Sequence, residues 1–276
     1  MITTEEYISC KLPTRVSDSN KGTYGKVLLA CGSENMRGAA ALATLGALRC
    51  GAGLVTLASD KEVIDTLSSS IYEAIWLDTA RFDLIDASDK ANAIGIGCGC
   101  GYKRSTFKNL KWLICRSGAP LVIDADAINV LSGKTKLLKK RAREIILTPH
   151  PLEFARLTGL SVEEIRASRE EVAKKFAAEY GVTLLLKGKN TVITDGNELF
   201  VNPTGSSALS KGGSGDVLTG MICAFLAQGV SPLDACVIGA YIHGLAGERL
   251  GQSISEYGVL ASELPLEAAK VLGELS

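Results

Sequence analysis

The sequence has no excess of charge of either sign. Lys and Arg total 30, Asp and Glu also total 30, and the formal net charge at pH 7 is zero. Nucleic acids and anionic membrane surfaces attract proteins through clustered positive charge. The composition gives no support for either partner, and we expect a protein that binds neither nucleic acid nor a membrane.

Paired metal-binding cysteines are also missing. None of the eight cysteines forms a Cys-x-x-Cys pair, and no histidine stands near Cys98 and Cys100, the two that are close together. We therefore expect no structural zinc site. Several cysteines lie in apolar segments, where free thiols behave as small core residues, and this suits a reducing compartment. The N-terminus lacks a basic start and an apolar run, and no apolar stretch approaches ~18 residues, so we expect a cytoplasmic protein.

Short apolar runs alternate with helical patterns along the first half of the chain. Strands are predicted at 26–31, 54–58, 92–97, 121–124 and 145–147, and helices at 38–50 and 60–69. Runs that are apolar throughout indicate strands buried on both faces. Because they alternate with helices, they predict right-handed crossovers and a mainly parallel sheet.

The second half of the chain adds antiparallel strands and a helical end. Ser161 and Glu164 form a capping box, which predicts one long helix to about Tyr180, and a buried strand follows at 182–186. Asp195-Gly196 is a two-residue hairpin signal between strands at 191–194 and 198–201. From Ser214 onward the chain is nearly all helix. No long linker interrupts the sequence, so we expect a single domain over residues 1–276.

The glycine-rich segment Lys211–Asp216 carries the clearest chemical signal. Glycines let backbone amides approach a ligand, and the first-turn amides of a helix are unpaired at its positive end. Such a helix start binds phosphate, and a carboxylate there, Asp216, can accept a proton from a hydroxyl. The alternative is that Asp216 only caps the helix. The turn cluster Asn202–Gly205 and the apolar helix that follows favour an active site.

Two common nucleotide motifs, GxxxxGK[ST] and GxGxxG, do not occur, so any nucleotide is held in another way. A series of other motifs occurs in a specific order. They are Lys21–Gly25, Met36–Ala40, Gly97–Gly99, Asp124–Asn129, Thr148–Phe154, Lys187–Thr191, Asn202–Gly205 and Gly212–Gly220. The series covers nearly the whole chain and resembles the NAD(P)H-hydrate dehydratase family, a branch of the ribokinase-like superfamily. The resemblance implies a ribokinase-like three-layer α/β/α sandwich with a mainly parallel central sheet.

The resemblance also implies an activity. The family uses ADP or ATP to dehydrate the S epimer of hydrated NADH or NADPH, which regenerates NAD(P)H and releases AMP or ADP with phosphate. One alternative is a small-molecule hydroxymethyl kinase of the same superfamily, and another is a nucleotide-sensing protein without turnover. The resemblance leaves open the choice of ADP or ATP and of NADH-hydrate or NADPH-hydrate. It further implies Mg²⁺, a homotetramer and a functional link to a separate epimerase, since no epimerase segment is visible in these residues.

The family's site residues match positions of this chain one by one. Asp216 resembles the catalytic residue, and it would also contact the hydrated substrate together with Ala39, Gly99 and His150. The implied nucleotide-binding residues are Lys187, Gly188, Lys189, Asn190, Thr191 and Gly215. Structural alternatives remain for Ala39 as a helix-packing residue, for His150 as a turn histidine and for Lys187 as a side chain that extends from a strand end to water.

Several neighbouring residues have less definite roles. In related sugar kinases an acidic residue near the position of Glu153 helps to hold Mg²⁺, often through water, and Asp124 is a further outer contributor. No direct metal ligand is assigned. Lys211 could offset phosphate charge, and His243 has a histidine counterpart in the family. Cys98 replaces the proline of the family's usual Gly-Pro-Gly, so the geometry of that turn is open.

Overall fold

The computed structural model describes residues 1–81 and 84–276. The α-helices are α1 (Glu5–Lys11), α2 (Arg37–Arg49), α3 (Lys61–Leu67), α4 (Leu84–Ser88), α5 (Arg104–Arg116), α6 (Ala125–Leu131), α7 (Pro151–Thr158), α8 (Val162–Ala167), α9 (Arg169–Tyr180), α10 (Ser214–Ala227), α11 (Pro232–Ser253) and α12 (Leu264–Leu275). The strands are β1 (Lys26–Ala30), β2 (Leu54–Ser59), β3 (Ala74–Asp78), β4 (Ala93–Ile96), β5 (Leu121–Ile123), β6 (Ile145–Leu147), β7 (Thr183–Leu186), β8 (Thr191–Thr194) and β9 (Leu199–Asn202). Short 3₁₀ helices span Thr135–Lys140 and Ser207–Leu209.

The nine strands form one sheet in the order β3-β2-β1-β4-β5-β6-β7-β8-β9. Pairing is parallel from β3 through β7, and among the described strands β8 is antiparallel to both of its neighbours, β7 and β9. The predicted mainly parallel sheet with an antiparallel addition is therefore confirmed. The sequence pattern missed β3, an edge strand in which only Ala74 is buried, because an edge strand needs no continuous apolar run.

Two apolar cores lie on opposite faces of the sheet. Along β1, Val27 and Leu29 pack into one core while Leu28 and Ala30 pack into the other, as the period of two in a strand requires. Helices α2, α10, α11 and α12 supply the first core, and α5, α6, α7 and α9 supply the second. This gives the predicted layer of strands between two layers of helices. Among the described residues, no helix is both long and apolar enough to cross a membrane.

The predicted long helix from Ser161 to Tyr180 is wrong in one respect, because it is divided at Ser168. The capping box at its start is confirmed, since the Ser161 hydroxyl accepts from the Glu164 amide at 3.1 Å. Ser168, with φ −139° and ψ 44°, is not helical, so α8 ends at Ala167 and α9 begins at Arg169. The break lets the Arg169 guanidinium reach the carbonyl oxygens of Leu186, at the end of β7, and of Lys187. Helical periodicity carries no information about this tertiary contact.

The predicted two-residue hairpin loop is also corrected. Thr194 pairs with Leu199, so the loop between β8 and β9 has four residues, 195–198. The Asp195 carboxylate accepts from the amides of Asn197 and Glu198, each at 2.8 Å. An aspartate that satisfies two amides ahead of it stabilises a longer turn, and this is the physical reason for the difference.

A close helix crossing fixes the position of α10 against α2. A Cβ atom added to Gly220 would lie 2.0 Å from the Ala43 carbonyl oxygen, and one added to Gly46 would lie 2.4 Å from the Val217 carbonyl oxygen. The two backbones are therefore in contact where they cross, since side chains there would hold them apart. The crossing sets the place where α10 begins, at the glycine-rich segment.

Candidate functional site

The start of α10 lies at the carboxyl end of the parallel strands. Gly213 precedes the helix with φ 95°, a conformation that glycine adopts without steric cost, and its carbonyl accepts from the Val217 amide at 3.2 Å. Asp216 lies in the first turn of α10. The end of β5 and the end of β7 both reach this helix start, through Asp124 and Lys187. Ligands in open α/β sheets bind at this edge.

Asp216 is in an environment that favours its protonated form. Its pKa is raised to about 6, mainly by burial, with a smaller contribution from the Asp124 carboxylate and a still smaller one from Asp126. The Cys98 thiol and the Lys187 ammonium oppose these effects. One oxygen of Asp216 lies within 4.8 Å of both the Cys98 sulfur and an Asp124 oxygen. A carboxylate whose pKa approaches the working pH is suited to general-base chemistry.

Lys187 joins the strand ends to the start of α10. Its Nζ donates to Asp124 Oδ1 at 2.7 Å, and a Cβ atom placed on Gly215 would lie only 3.1 Å from that Nζ. Burial alone would lower the pKa of Lys187, but the carboxylates of Asp124 and Glu153 raise it above its ordinary value. The ammonium group therefore stays charged beside the first-turn amides of α10. Positive charge and unpaired amides together form a strong anion site.

Arg169 holds the predicted nucleotide segment Lys187–Thr191 in place. Its guanidinium donates to the carbonyl oxygens of Leu186 at 3.0 Å and Lys187 at 3.2 Å, and also to that of Lys189. Within the segment, the Thr191 hydroxyl donates to the Gly188 carbonyl at 2.9 Å. The loop is thus fixed by contacts to its own backbone, which leaves its outer surface available to a ligand.

A cavity of about 590 Å³ opens beside this segment. Five of the six predicted nucleotide residues line it, namely Lys187, Gly188, Lys189, Thr191 and Gly215. Asn190 is outside that lining and has φ 56°, so it serves as the left-handed corner of the loop. The cavity is a size that suits a nucleotide-sized ligand.

The opposite wall of the cavity comes from the loop after β9 and from α11. Thr204, from the predicted turn cluster Asn202–Gly205, lines this wall together with Ala240 and Gly244, for which the sequence predicted no role. A Cβ atom on Gly244 would lie 2.1 Å from Thr204 Oγ1, so the loop packs directly on the helix backbone. The sequence does hold one signal for this wall. Ala240 and Gly244 are small residues four positions apart, so they lie on one face of the helix.

His243 lies in the same wall and is buried, with 7% of its surface exposed. Burial lowers its pKa to about 4, so its ring is neutral at pH 7. The ring Nε2 lies 3.1 Å from the Ser214 hydroxyl oxygen. His243 therefore orients the hydroxyl at the first position of α10, which itself lines the cavity.

The structure brings two predicted substrate residues into contact. A Cβ atom added to Gly99 would lie 2.8 Å from the Ala39 Cβ and 2.7 Å from the Met36 Cβ. Gly99 has φ 65°, so this position requires glycine for its backbone and for its space. Cys98, which replaces the family's proline, is fully buried, and its carbonyl accepts from the Gly32 amide at 2.7 Å. The turn is thus ordered with cysteine in that place.

His150, the third predicted substrate residue, caps α7. Its Nδ1 accepts from the amides of Leu152 at 3.2 Å and Glu153 at 3.3 Å. An Nδ1 that accepts leaves the proton of the neutral ring on Nε2, which lies 3.4 Å from a Glu153 oxygen. Burial and the Lys187 ammonium lower the pKa of His150. The residue is joined to the site through Pro149, whose carbonyl accepts from the Lys187 amide at 2.9 Å.

Lys211 and Glu153 have defined partners as well. The Lys211 Nζ donates to the carbonyls of Tyr257 and Val259, at 2.5 and 2.6 Å, and Lys211 itself lines the cavity. Glu153 is buried, and its Oε2 accepts from the His150 amide at 2.9 Å. Burial raises the pKa of Glu153, and the Asp124 carboxylate raises it further.

Comparison with known proteins identifies the family of this chain. The family model described as NAD(P)H-hydrate dehydratase matches residues 27–269. An ADP-dependent (S)-NAD(P)H-hydrate dehydratase of Bacillus subtilis strain 168 is 38% identical over 265 residues, which are 95% of this chain and 94% of that protein. The crystal structure of the B. subtilis ADP/ATP-dependent NAD(P)H-hydrate dehydratase, co-crystallised with ATP and Mg²⁺, has a TM-score of 0.91 at 36% identity and covers 100% of this chain and 98% of its own.

A longer relative matches over part of its length. The bifunctional NAD(P)H-hydrate repair enzyme of Moorella thermoacetica is 36% identical over 274 residues, which are 95% of this chain but 52% of that protein. The chain thus spans about half of this bifunctional relative and nearly all of the B. subtilis one. The likeness over its full length confirms the predicted ribokinase-like sandwich. With a family model that matches most of its residues and relatives above one third identity, this chain belongs to the NAD(P)H-hydrate dehydratase family.

Proposed function

We propose that this chain dehydrates the S epimer of hydrated NADH or NADPH, with ADP or ATP as the phosphoryl donor. The observation that carries the proposal is the arrangement at the start of α10, where Asp216, the Lys187 ammonium and the first-turn amides meet beside a cavity. Phosphoryl transfer needs donors that stabilise charge on the phosphoryl oxygens and a base for the attacking hydroxyl. Family membership supplies the substrate class.

The nucleotide would occupy the cavity with its phosphates at Gly215. Lys187 would donate to a phosphoryl oxygen, and the loop 188–191 would contact the rest of the nucleotide. The hydrated nicotinamide ring would lie on the other side of Asp216, near Ala39 and Gly99, which pack against each other. His150 would donate through Nε2–H. These roles agree with the positions of the residues around the site.

The reaction would run in two stages. The ring hydroxyl is a poor leaving group as hydroxide, so its oxygen first attacks the terminal phosphorus of the nucleotide, and the bond from that phosphorus to the bridging oxygen breaks. Asp216 takes the hydroxyl proton, and the amides of α10 with Lys187 stabilise the charge on the phosphoryl oxygens. The ring carbon–oxygen bond then breaks, phosphate leaves with the electron pair, and the adjacent ring carbon gives its proton to the departing phosphate. The products are NAD(P)H, phosphate and AMP or ADP.

Mg²⁺ is part of the proposal. The ligand atoms of Cys98, Asp124 and Asp216 lie within 4.8 Å of one another. Mg²⁺ prefers oxygen ligands and keeps several waters, and both Asp124 oxygens already accept hydrogen bonds, so this set fits poorly as a direct cage. We infer that nucleotide phosphates would hold the ion and that Glu153 would support it through water. Bound in this way, Mg²⁺ would neutralise phosphate charge.

The test supplies hydrated NADH with ADP and, separately, with ATP. We expect the absorbance of the reduced nicotinamide to return, with one phosphate released for each molecule repaired. The pure R epimer should give no return unless an epimerase is added. A stable phosphorylated alcohol without recovered absorbance would show a hydroxymethyl kinase instead, and nucleotide binding without any phosphate release would show a binding protein.

Replacing Lys187 with alanine should weaken nucleotide binding about 10- to 100-fold, which corresponds to the roughly 1.5–3 kcal/mol of a hydrogen bond to a charged group. Because the substitution also leaves Asp124 buried without its cation, the variant should lose about 3–5 kcal/mol of stability. Calorimetric titration with ADP and urea unfolding measure the two effects. Lys139→Ala, which removes a surface lysine near Glu179, is the control. Unchanged ADP affinity in folded Lys187→Ala would remove the assignment.

The nine strands of one sheet support a single domain over residues 1–276. The reduced state of all eight cysteines is compatible with the cytoplasm. By family resemblance we propose a homotetramer and a functional link to an NAD(P)H-hydrate epimerase that supplies the S epimer. The bifunctional relative is compatible with that link.

A further inference from the structure

Asp124 is a buried carboxylate that does not perform the usual task of its position. It stands at the N-cap of α6, where aspartate normally accepts from a helix amide, but it makes no such bond. Only 1% of its surface is exposed. The next residue, Ala125, has φ 48°, a left-handed conformation that costs a non-glycine residue energy. In this strained turn the Asp124 carboxylate is directed away from the amides of α6.

Both oxygens of Asp124 have partners on other elements. Oδ1 accepts from Lys187 Nζ at 2.7 Å, and Oδ2 accepts from Thr219 Oγ1 at 2.7 Å. These partners come from the end of β7 and from the second turn of α10. The carboxylate therefore ties the strand that carries Lys187 to the helix whose amides form the anion site.

This contact determines where the lysine ammonium lies. A lysine has four rotatable bonds and a strongly hydrated head, so at a strand end it normally extends to water. The Lys187 side chain is instead 21% exposed, with its Nζ against Gly215. Asp124 supplies the negative charge that holds it there, and the Thr219 hydroxyl fixes the direction of that carboxylate.

We propose that Asp124 is a positioning residue, which holds the Lys187 ammonium at the amide end of α10 so that a terminal phosphate of the nucleotide meets both donors at once. This inference rests on the proposed nucleotide site. It goes beyond the outer metal role expected for Asp124, since it assigns the carboxylate to a lysine. A group held ready in advance contributes more to binding than one that must be ordered by the ligand.

The first test distinguishes a positioning role of Asp124 from a direct effect of its negative charge on ADP binding. Asp124→Asn keeps the size of the side chain but removes the negative charge that holds the lysine. We expect the Kd for ADP to rise about 10-fold. Losing a residue that orients a metal ligand typically weakens affinity about 10- to 100-fold, and we expect the loss here to lie near the lower end of that range. The Kd for adenosine, which has no phosphate, should stay unchanged. If Asp124 acted only through its negative charge, its removal would instead tighten ADP binding, and that result would overturn the proposal.

A double-mutant cycle tests whether Asp124 acts through Lys187. In a Lys187→Met background, Asp124→Asn should cause little further loss of ADP affinity. Full additivity of the two losses would contradict the inference. If Asp124→Asn does not fold, Thr219→Val replaces it, because this substitution frees the carboxylate without removing a charge. Thr219→Val should weaken the binding of ADP more than the binding of adenosine. An equal loss of affinity for both ligands would also contradict the inference.

Two controls complete the design. Asp78→Asn makes the same change in a carboxylate at the end of β3, beside Arg81, and should leave ADP affinity unchanged. Asp124→Glu, which keeps the charge, should recover part of the affinity, whereas no recovery would count against positioning. All binding measurements are independent of turnover, so a wild-type protein that binds ADP but fails to repair hydrated NADH would refute the proposed function without affecting this result.

Discussion

Replacing Asp216 with asparagine is expected to lower turnover by about 10²- to 10⁴-fold, the range typical of general-base loss, while ADP binding stays nearly intact. Asparagine has the same shape but cannot take the hydroxyl proton. Single-turnover assays with hydrated NADH measure the chemical step, and calorimetric titration measures ADP affinity. An equal loss of binding and turnover would show a structural role for Asp216.

The same residue predicts the pH dependence of the wild-type enzyme. Because the pKa of Asp216 is raised to about 6, kcat/KM should fall as the pH drops through that value and the base becomes protonated. The groups that face it are Asp124, Asp126, Cys98 and Lys187. A profile that is flat between pH 5 and 8, by about two-fold or less, would contradict Asp216 as the base.

Asp216→Asn should also stabilise the folded protein at neutral pH. A carboxyl group whose pKa is higher in the folded than in the unfolded state makes folding less favourable once the pH exceeds both values. A shift from 3.8 to about 6 corresponds to an upper limit of about 3 kcal/mol at 1.36 kcal/mol per pKa unit. The gain should be present at pH 7 and disappear below about pH 4. Exposed Asp18→Asn is the control, and a loss of stability in Asp216→Asn would contradict the expected burial cost.

The second large effect is expected at the helix crossing. Gly220→Ala places a Cβ atom 2.0 Å from the Ala43 carbonyl oxygen, and the backbone of α2 cannot move aside as a flexible side chain would. Overpacking of a core typically lowers the free energy of unfolding by about 1–3 kcal/mol. We expect a clash with backbone to cost the upper end of this range or more. Thermal unfolding and urea titration measure the loss. Activity should fall with it, since the crossing places the start of α10.

Gly273→Ala is the matched control for this substitution. Gly273 also lies within a helix, α12, but nothing lies within 4 Å of its added Cβ atom. Alanine is favoured over glycine in a helix interior by about 0.8–1.0 kcal/mol, so this variant should gain stability. The same chemical change thus has opposite expected signs. A Gly220→Ala variant as stable as wild type would mean that the crossing is looser than the structure indicates.

Local patterns predicted most of the fold. The strands at 145–147 and 191–194 occur with the predicted bounds, because apolar runs between turn residues define buried strands. The errors have tertiary causes. The break at Ser168 accompanies the Arg169 contacts at the end of β7, and the four-residue loop at 195–198 depends on amides that the Asp195 side chain satisfies. Neither contact produces a periodic hydrophobic pattern in the sequence, so neither could be predicted from periodicity.

The candidate site was predictable in part for a related reason. Asp216 and Gly215 were found because glycines before a helix and a carboxylate in its first turn are adjacent in sequence. The bond between Asp124 and Thr219 joins residues 95 positions apart, and Ala125 shows its left-handed backbone only in three dimensions. The wall residues Ala240 and Gly244 likewise depend on which face of α11 the loop after β9 meets.

The partners of Asp124 have a consequence for how the chain folds. Its bonds to Lys187 and Thr219 close sequence separations of 63 and 95 residues, and they require β5, β7 and α10 to be assembled. Contacts of such long range form late, because the entropy of closing large loops opposes them until the rest of the sheet exists. A refolding chain should therefore regain secondary structure before it regains nucleotide affinity. ADP, which would bind only the finished arrangement, would slow unfolding and leave the early folding steps unchanged.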